Sequence, residues 1–181
     1  MNNSKRGQRR VETILDNLEE PFLTTKPTEV GKSVEDDDLV PLVECIAKAA
    51  DMRKAEDIKC IRVSKLTTTT SFVVIVSGNS RPQNRAIAAA IDDEVMELFE
   101  GEYALRGDSP EGNADSGWIL LDYGCVMVHV MTPRSRLFYD IEGKWKKGEQ
   151  LDITSILVPN TPDSSSDDGS SPIDTTDPFW S

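Results

Sequence analysis

Two strand-like runs, Trp118 to Asp122 and Cys125 to Met131, stand on either side of Tyr123-Gly124, and they constrain this chain more than any other feature. Side chains on a strand point alternately to opposite faces, so pairing the two runs assigns every residue to one of two sets. A two-residue Tyr-Gly loop would pair Asp122 with Cys125, Leu121 with Val126, Leu120 with Met127, Ile119 with Val128 and Trp118 with His129. One face then carries Ile119, Leu121, Val126, Val128 and Val130, aliphatic and mostly β-branched, a core face for helices to cover. The other carries Trp118, Leu120, Asp122, Cys125, Met127, His129 and Met131. Trp and Met are enriched at protein interfaces, which makes this second face a docking platform on one reading. Burial under the N-terminal helix is the competing reading, because an exposed apolar patch needs a reason and a buried one does not.

The elements around the hairpin follow from periodicity. Leu39, Leu42, Val43, Ile46, Ala49 and Ala50 repeat at helical spacing, with Asp38 as N-cap and Pro41 in the first turn. Strands are expected at 58–63 and 72–76, the second apolar on both faces and hence central. Ser80 and Gln83 have the spacing of a capping box, and Ile87, Ile91, Val95 and Leu98 form the buried stripe of the helix that follows, closed at Gly101. A short strand near 103–105, the hairpin and one helix over 134–144 with Thr132 as N-cap complete the pattern. The order α-β-β-α-β-β-β-α implies an α/β domain with a mixed five-stranded sheet and packed helices.

Charge marks the ends. Residues 1–38 hold six Lys/Arg against nine Asp/Glu, residues 39–151 fourteen against seventeen, and residues 152–181 none against six. The first stretch, with Pro21, Pro27, Gly31 and the run Glu35-Asp36-Asp37-Asp38, reads as a flexible leader. The last reads as an acidic, disordered tail rich in Ser, Asp and Pro, and its Asp177-Pro178-Phe179-Trp180 is either an unstructured end or a docking peptide. An acidic chain is ill suited to DNA, where phosphate neutralisation dominates affinity, and better suited to a basic protein. No apolar run reaches membrane-spanning length, so no membrane partner is expected. Cys45, Cys60 and Cys125 are odd in number and far apart, which suggests neither a disulfide framework nor a metal site.

Little in the sequence points to catalysis. Ser80 behind Gly78-Asn79 invites comparison with a nucleophile or a phosphate cradle, yet the only imidazole, His129, lies mid-strand with nothing to aim it there. No P-loop or dinucleotide fingerprint is present, and no cofactor is expected.

From Leu42 to Trp145 the chain resembles the ribosomal silencing factor, or Iojap-like, family. The resemblance rests on Lys54-Ala55-Glu56-Asp57-Ile58, Phe72-Val73-Val74-Ile75 leading to Gly78-Asn79-Ser80 and Gln83, Ala86-Ile87-Ala88, and Gly107. Trp118 to Gly124, Val126 to Val130, and Phe138-Tyr139-Asp140-Ile141-Glu142 to Trp145 complete it. It implies a nucleotidyltransferase-like fold without transferase activity, a cytoplasmic protein, and binding to the large ribosomal subunit through its L-fourteen-family protein at the intersubunit face, which blocks subunit joining and represses translation. It also places partner contacts at Trp118, Leu120, Asp122, Tyr123, Met127, His129 and Tyr139, and so favours the docking-platform reading. Ser71-Phe72 and Cys125 depart from the family's usual acid-aromatic pair and Asp. A nucleotide-binding or transferase-like enzyme, and a homodimer pairing its apolar faces, are the alternative readings.

Overall fold

A computed structural model of the chain describes residues 32–159. The elements run α1 (Val40–Met52), β1 (Glu56–Arg62), β2 (Phe72–Ser77), α2 (Arg81–Leu98), β3 (Glu111–Asn113), β4 (Trp118–Asp122), β5 (Val126–Met131), α3 (Pro133–Tyr139), α4 (Ile141–Lys144) and β6 (Glu149–Gln150). The mixed sheet has six strands in the order β3-β4-β5-β2-β1-β6, one more than the periodicity implied. Only β2 and β5 are parallel, and β2, buried along its whole length, is interior as expected.

The chain leaves the carboxyl ends of these two parallel strands in opposite directions. After β2 it enters α2, which with α1 covers the aliphatic face of the hairpin: Ile119, Leu121, Val126, Val128 and Val130 share one core with Ile46, Ile87 and Ile91. After β5 it enters α3 and α4, whose Ile141, together with Trp145 just beyond, joins a second core with Ile61, Val73, Ile75, Trp118, Leu120, Met127 and Met131. Two apolar faces, each under its own helices, make a three-layer arrangement.

Caps explain several boundaries. Ser80 Oγ accepts from Gln83 N at 3.2 Å, while Gln83 Oε1 accepts from Asn79 N at 2.7 Å. Gln83 Nε2 also donates to the carbonyls of Arg53 and Lys54, which fastens the start of α2 to the end of α1. Thr132 caps α3, accepting from Ser135 N. Where one helix was expected over 134–144, Asp140 adopts left-handed φ and ψ of 46° and 52°, dividing it into α3 and α4, and Asp140 Oδ1 then caps α4 through Gly143 N. Residues 103–105 form no strand; the third strand is β3.

The described domain begins before the expected boundary at residue 39. The acidic run is folded in: Val34 is buried, and Asp37, not Asp38, serves the helix start by accepting from Leu39 N at 3.0 Å. Arg62, buried on β1, donates to Asp37, to Glu149 on β6 and to the carbonyls of Lys32 and Ser33, so one guanidinium holds both ends of the domain. The expected tail boundary at residue 152 shifts as well, since residues 152–159 are described and Ile153 is buried in the first core; the rest of the expected leader, and residues 160–181 of the expected tail, lie outside the described residues.

Candidate functional site

The hairpin register differs from the two-residue-loop expectation by two positions. Trp118 lies opposite Met131, Leu120 opposite His129, and Asp122 opposite Met127. Three residues, 123–125, make the connection: Asp122 Oδ1 accepts from Gly124 N at 2.8 Å, and Tyr123 N donates to Val126 O at 3.0 Å. Gly124 takes φ +81°, a left-handed conformation that favours glycine; a Cβ there would also meet the Arg106 guanidinium at 2.9 Å, which an exposed, flexible side chain can relieve by moving aside. A shift of two preserves parity, and both faces keep the membership expected of them.

The Trp/Met/His face is not a free surface, which corrects the docking-platform reading. Trp118 is 5% exposed, and Leu120, Asp122, Met127, His129 and Met131 are buried. The cover is not the N-terminal helix but α3, α4 and Trp145. The physical reason is the connection after β5. Thr132 and Pro133 start α3 directly at the carboxyl end of β5, an interior strand, and Ile141 and Trp145 then bury their apolar surface on the face that α1 and α2 leave uncovered. The same burial removes the face on which a homodimer was to pair.

The seven residues singled out in the sequence do not form one surface. Trp118, Leu120, Met127 and His129 share the second core, with Tyr139 packed against it from α3. Asp122 is spent on the turn. Tyr123 belongs to the opposite core, where its hydroxyl donates to Asp92 Oδ1 at 3.0 Å. Burial, reinforced by the Asp92 charge, raises that hydroxyl's pKa well above its ordinary range.

Within the second core the aromatic groups form a line from the interior to the surface. Trp118 Nε1 donates to His129 Nδ1 at 3.1 Å, which puts the proton of the neutral ring on Nε2. Desolvation lowers the His129 pKa to about 4, so the ring is uncharged at neutral pH. The Trp118 ring lies 4.6 Å from that of Tyr139, and Tyr139 meets Phe138 edge-on at 5.0 Å. Phe138 ends the line in solvent. It is 80% exposed and its neighbour Leu137 84%, the two most exposed large apolar side chains of the described domain. Arg134, Lys146 and Lys147 are exposed along the same α3–α4 segment. Arg136 is turned inward, donating to Glu142 and to Ser77 Oγ. Sequence reasoning missed Leu137 and Phe138 because each sits in a helical pattern with nothing to show which way the helix faces; the break at Asp140 was the missing signal.

The described residues offer little chemistry. Ser80 Oγ is a helix cap, and His129 is engaged by Trp118. No group of three or more His, Cys, Asp or Glu side chains among the described residues is placed to hold a metal ion. Burial raises the pKa of all three thiols, Cys60 to about 12, the opposite of what a nucleophilic cysteine needs. Among the described residues no helix is long and apolar enough to cross a membrane.

Comparison with known proteins decides the family. Residues 36–176 match the model of the ribosomal silencing factor during starvation. The chain belongs to the ribosomal silencing factor family. That match starts inside the folded acidic run and extends well past Trp145, where the motif resemblance ended. A silencing factor of Bacillus subtilis is 30% identical over 112 residues, 62% of this chain and 91% of the relative. The chloroplastic Iojap protein of Arabidopsis thaliana is 35% identical over 120 residues, 65% of this chain but 48% of that longer relative. A crystal structure of a Chromobacterium violaceum protein superposes with a TM-score of 0.54 at 30% identity, covering 61% of this chain and 88% of that one. A Bacillus halodurans structure gives 0.51 at 27% identity over 62% and 97%. The bacterial relatives are named ribosomal silencing factors. Ser71 and Cys125, expected from the sequence to depart from the family's usual residues, are neighbours here, Ser71 N donating to Cys125 O at 2.9 Å.

Proposed function

We propose that this chain binds the large ribosomal subunit through its L-fourteen-family protein at the intersubunit face, blocks joining of the small subunit by occupancy, and so represses translation in the cytoplasm without catalysing a reaction. The observation that carries the reading is the family match over residues 36–176, and the Leu137–Phe138 ridge supplies a surface for it. Two large apolar side chains held out on a seven-residue helix are an anchor for a partner, because most of their surface stays outside the domain's own packing, Phe138 touching only the Tyr139 ring edge-on. Trp118, His129 and Tyr139 then act beneath the contact, holding α3 in place. Leu120 and Met127 fill the core under it.

A blocking factor needs affinity and bulk, since each bound copy withdraws one subunit from the joining equilibrium. Sedimentation of purified subunits tests this: added protein should comigrate with large subunits and deplete joined ribosomes, and Phe138→Ser should restore joining. Unchanged joining at saturating protein would refute the proposal.

A further inference from the structure

A helix usually takes its orientation from an apolar stripe pressed into the core, and α3 has no such stripe: none of its seven residues is fully buried. Thr132 fixes where the helix starts by accepting from Ser135 N, but a cap does not fix how the helix is rolled about its axis. That roll decides which way Leu137 and Phe138 point. Positions 136 and 139 lie three apart and share one face of the helix, while 137 and 138 fall on the other. Tyr139 supplies one inward contact, its ring 4.6 Å from that of Trp118. Arg136 supplies the second.

The Arg136 side chain is 10% exposed. Its Nη1 donates to Ser77 Oγ at 3.0 Å, and its Nε donates to Glu142 Oε1. Ser77 is the last residue of β2 and continues the column of Val73 and Ile75, which face the second core. It lies opposite Met131, the last residue of β5, from which the chain passes into α3. One guanidinium thus joins α3 to the carboxyl end of the neighbouring strand and to the first turn of α4. Its N–H groups radiate in a rigid plane, so bonds to two separate elements fix direction as well as distance, which a ring contact does not. The backbone carbonyl of the same residue accepts from Asp140 N at 3.0 Å, at the left-handed break that ends α3. We infer that Arg136 is a positioning residue: through Ser77 and Glu142 it sets the roll of α3 and so holds the Leu137–Phe138 ridge out towards a partner.

The consequence for silencing rests on the reading above, in which the ridge is the anchor, and the test keeps the two apart. In the full-length chain Arg136→Met retains an apolar stem and removes the guanidinium, leaving Glu142 partly in water. Amide exchange over 135–140 should quicken about tenfold while that of β2 and β5 stays the same. Arg136→Lys, which keeps a donor but loses the fork, should fall between the two. With the ridge correctly presented in about one molecule in ten, large-subunit binding should weaken by that same factor. In the Leu137→Ser/Phe138→Ser background, adding Arg136→Met should cost no further affinity, because the roll of α3 is immaterial once the anchor is gone; a substitution that only destabilised the domain would add its loss in full. Unchanged exchange in α3, undiminished binding by Arg136→Met, or additive losses in the combined variant would each overturn the inference. If exchange responds as expected and the unsubstituted chain does not bind large subunits, the ribosomal reading fails while the hold of Arg136 on α3 stands.

Discussion

Trp118 and His129 are diagonal neighbours across β4 and β5, and the indole N–H of one donates to Nδ1 of the other at 3.1 Å in a core that admits almost no solvent. The pair sits at the inner end of the aromatic line that reaches Phe138, so the surface ridge depends on a buried hydrogen bond.

Acid should weaken the fold through His129. Its folded pKa of about 4 lies below the usual 6.5, so between those values the unfolded chain takes up a proton that the native one does not. The stability contribution is whole above pH 6.5 and declines as pH falls towards 4, by about 3 kcal/mol in all. Urea midpoints compared at pH 7 and pH 4.5 should fall further for the native sequence than for His129→Asn; equal falls would show that His129 is not the source.

Removing the donor should cost less than removing the ring. Trp118→Phe leaves Nδ1 of His129 without its partner and is expected to lose about 1–3 kcal/mol, while Trp118→Ala also opens a cavity and should lose about 3–5 kcal/mol. Denaturant titration measures both, and a Trp118→Ala protein as stable as the parent would contradict the burial described here.

Phe138→Ser and Leu137→Ser should separate stability from binding. Both side chains are exposed, so unfolding free energy should move by no more than about 0.5 kcal/mol, whereas binding to large subunits should weaken at least about tenfold, as expected for an interface anchor. Melting curves paired with pelleting assays give the two numbers.

Gly78 and Asn84 should be coupled. The Asn84 amide is fully buried with neither polar atom hydrogen-bonded, and a Cβ on Gly78 would overlap its Oδ1. Gly78→Ala should therefore destabilise by about 1–3 kcal/mol, and Asn84→Ala should be close to neutral because it removes an unsatisfied amide. The double variant should recover most of the loss of Gly78→Ala. Additive effects in the cycle would mean that the two positions do not touch.

Arg62→Ala should loosen two distant segments together. With its guanidinium gone, Asp37, Glu149 and the carbonyls of Lys32 and Ser33 lose one shared donor. A loss of about 2–3 kcal/mol is expected, moderated because Glu149 is partly solvated. Hydrogen exchange should quicken in both 32–38 and 149–151; faster exchange at one end alone would argue against the shared tie.

What the sequence determined is whatever depends on local repetition. Alternation in 118–122 and 125–131 gave the membership of both hairpin faces despite the wrong register, because a slip of two residues leaves parity unchanged. The Ser80-Gln83 box, the Thr132 cap and the central place of β2 were legible for the same reason: each is written in neighbouring residues. Only the tertiary structure decided what covers the Trp118–Met131 face. Alternation separates two faces but is silent on which receives a helix, and that turned on a single left-handed residue, Asp140, which divides the last helix so that Ile141 and Trp145 close over the sheet while Leu137 and Phe138 stay in water. The candidate contact surface thus moved from the strands to the helix above them, because burial is settled by the chain as a whole and not by any one stretch of it.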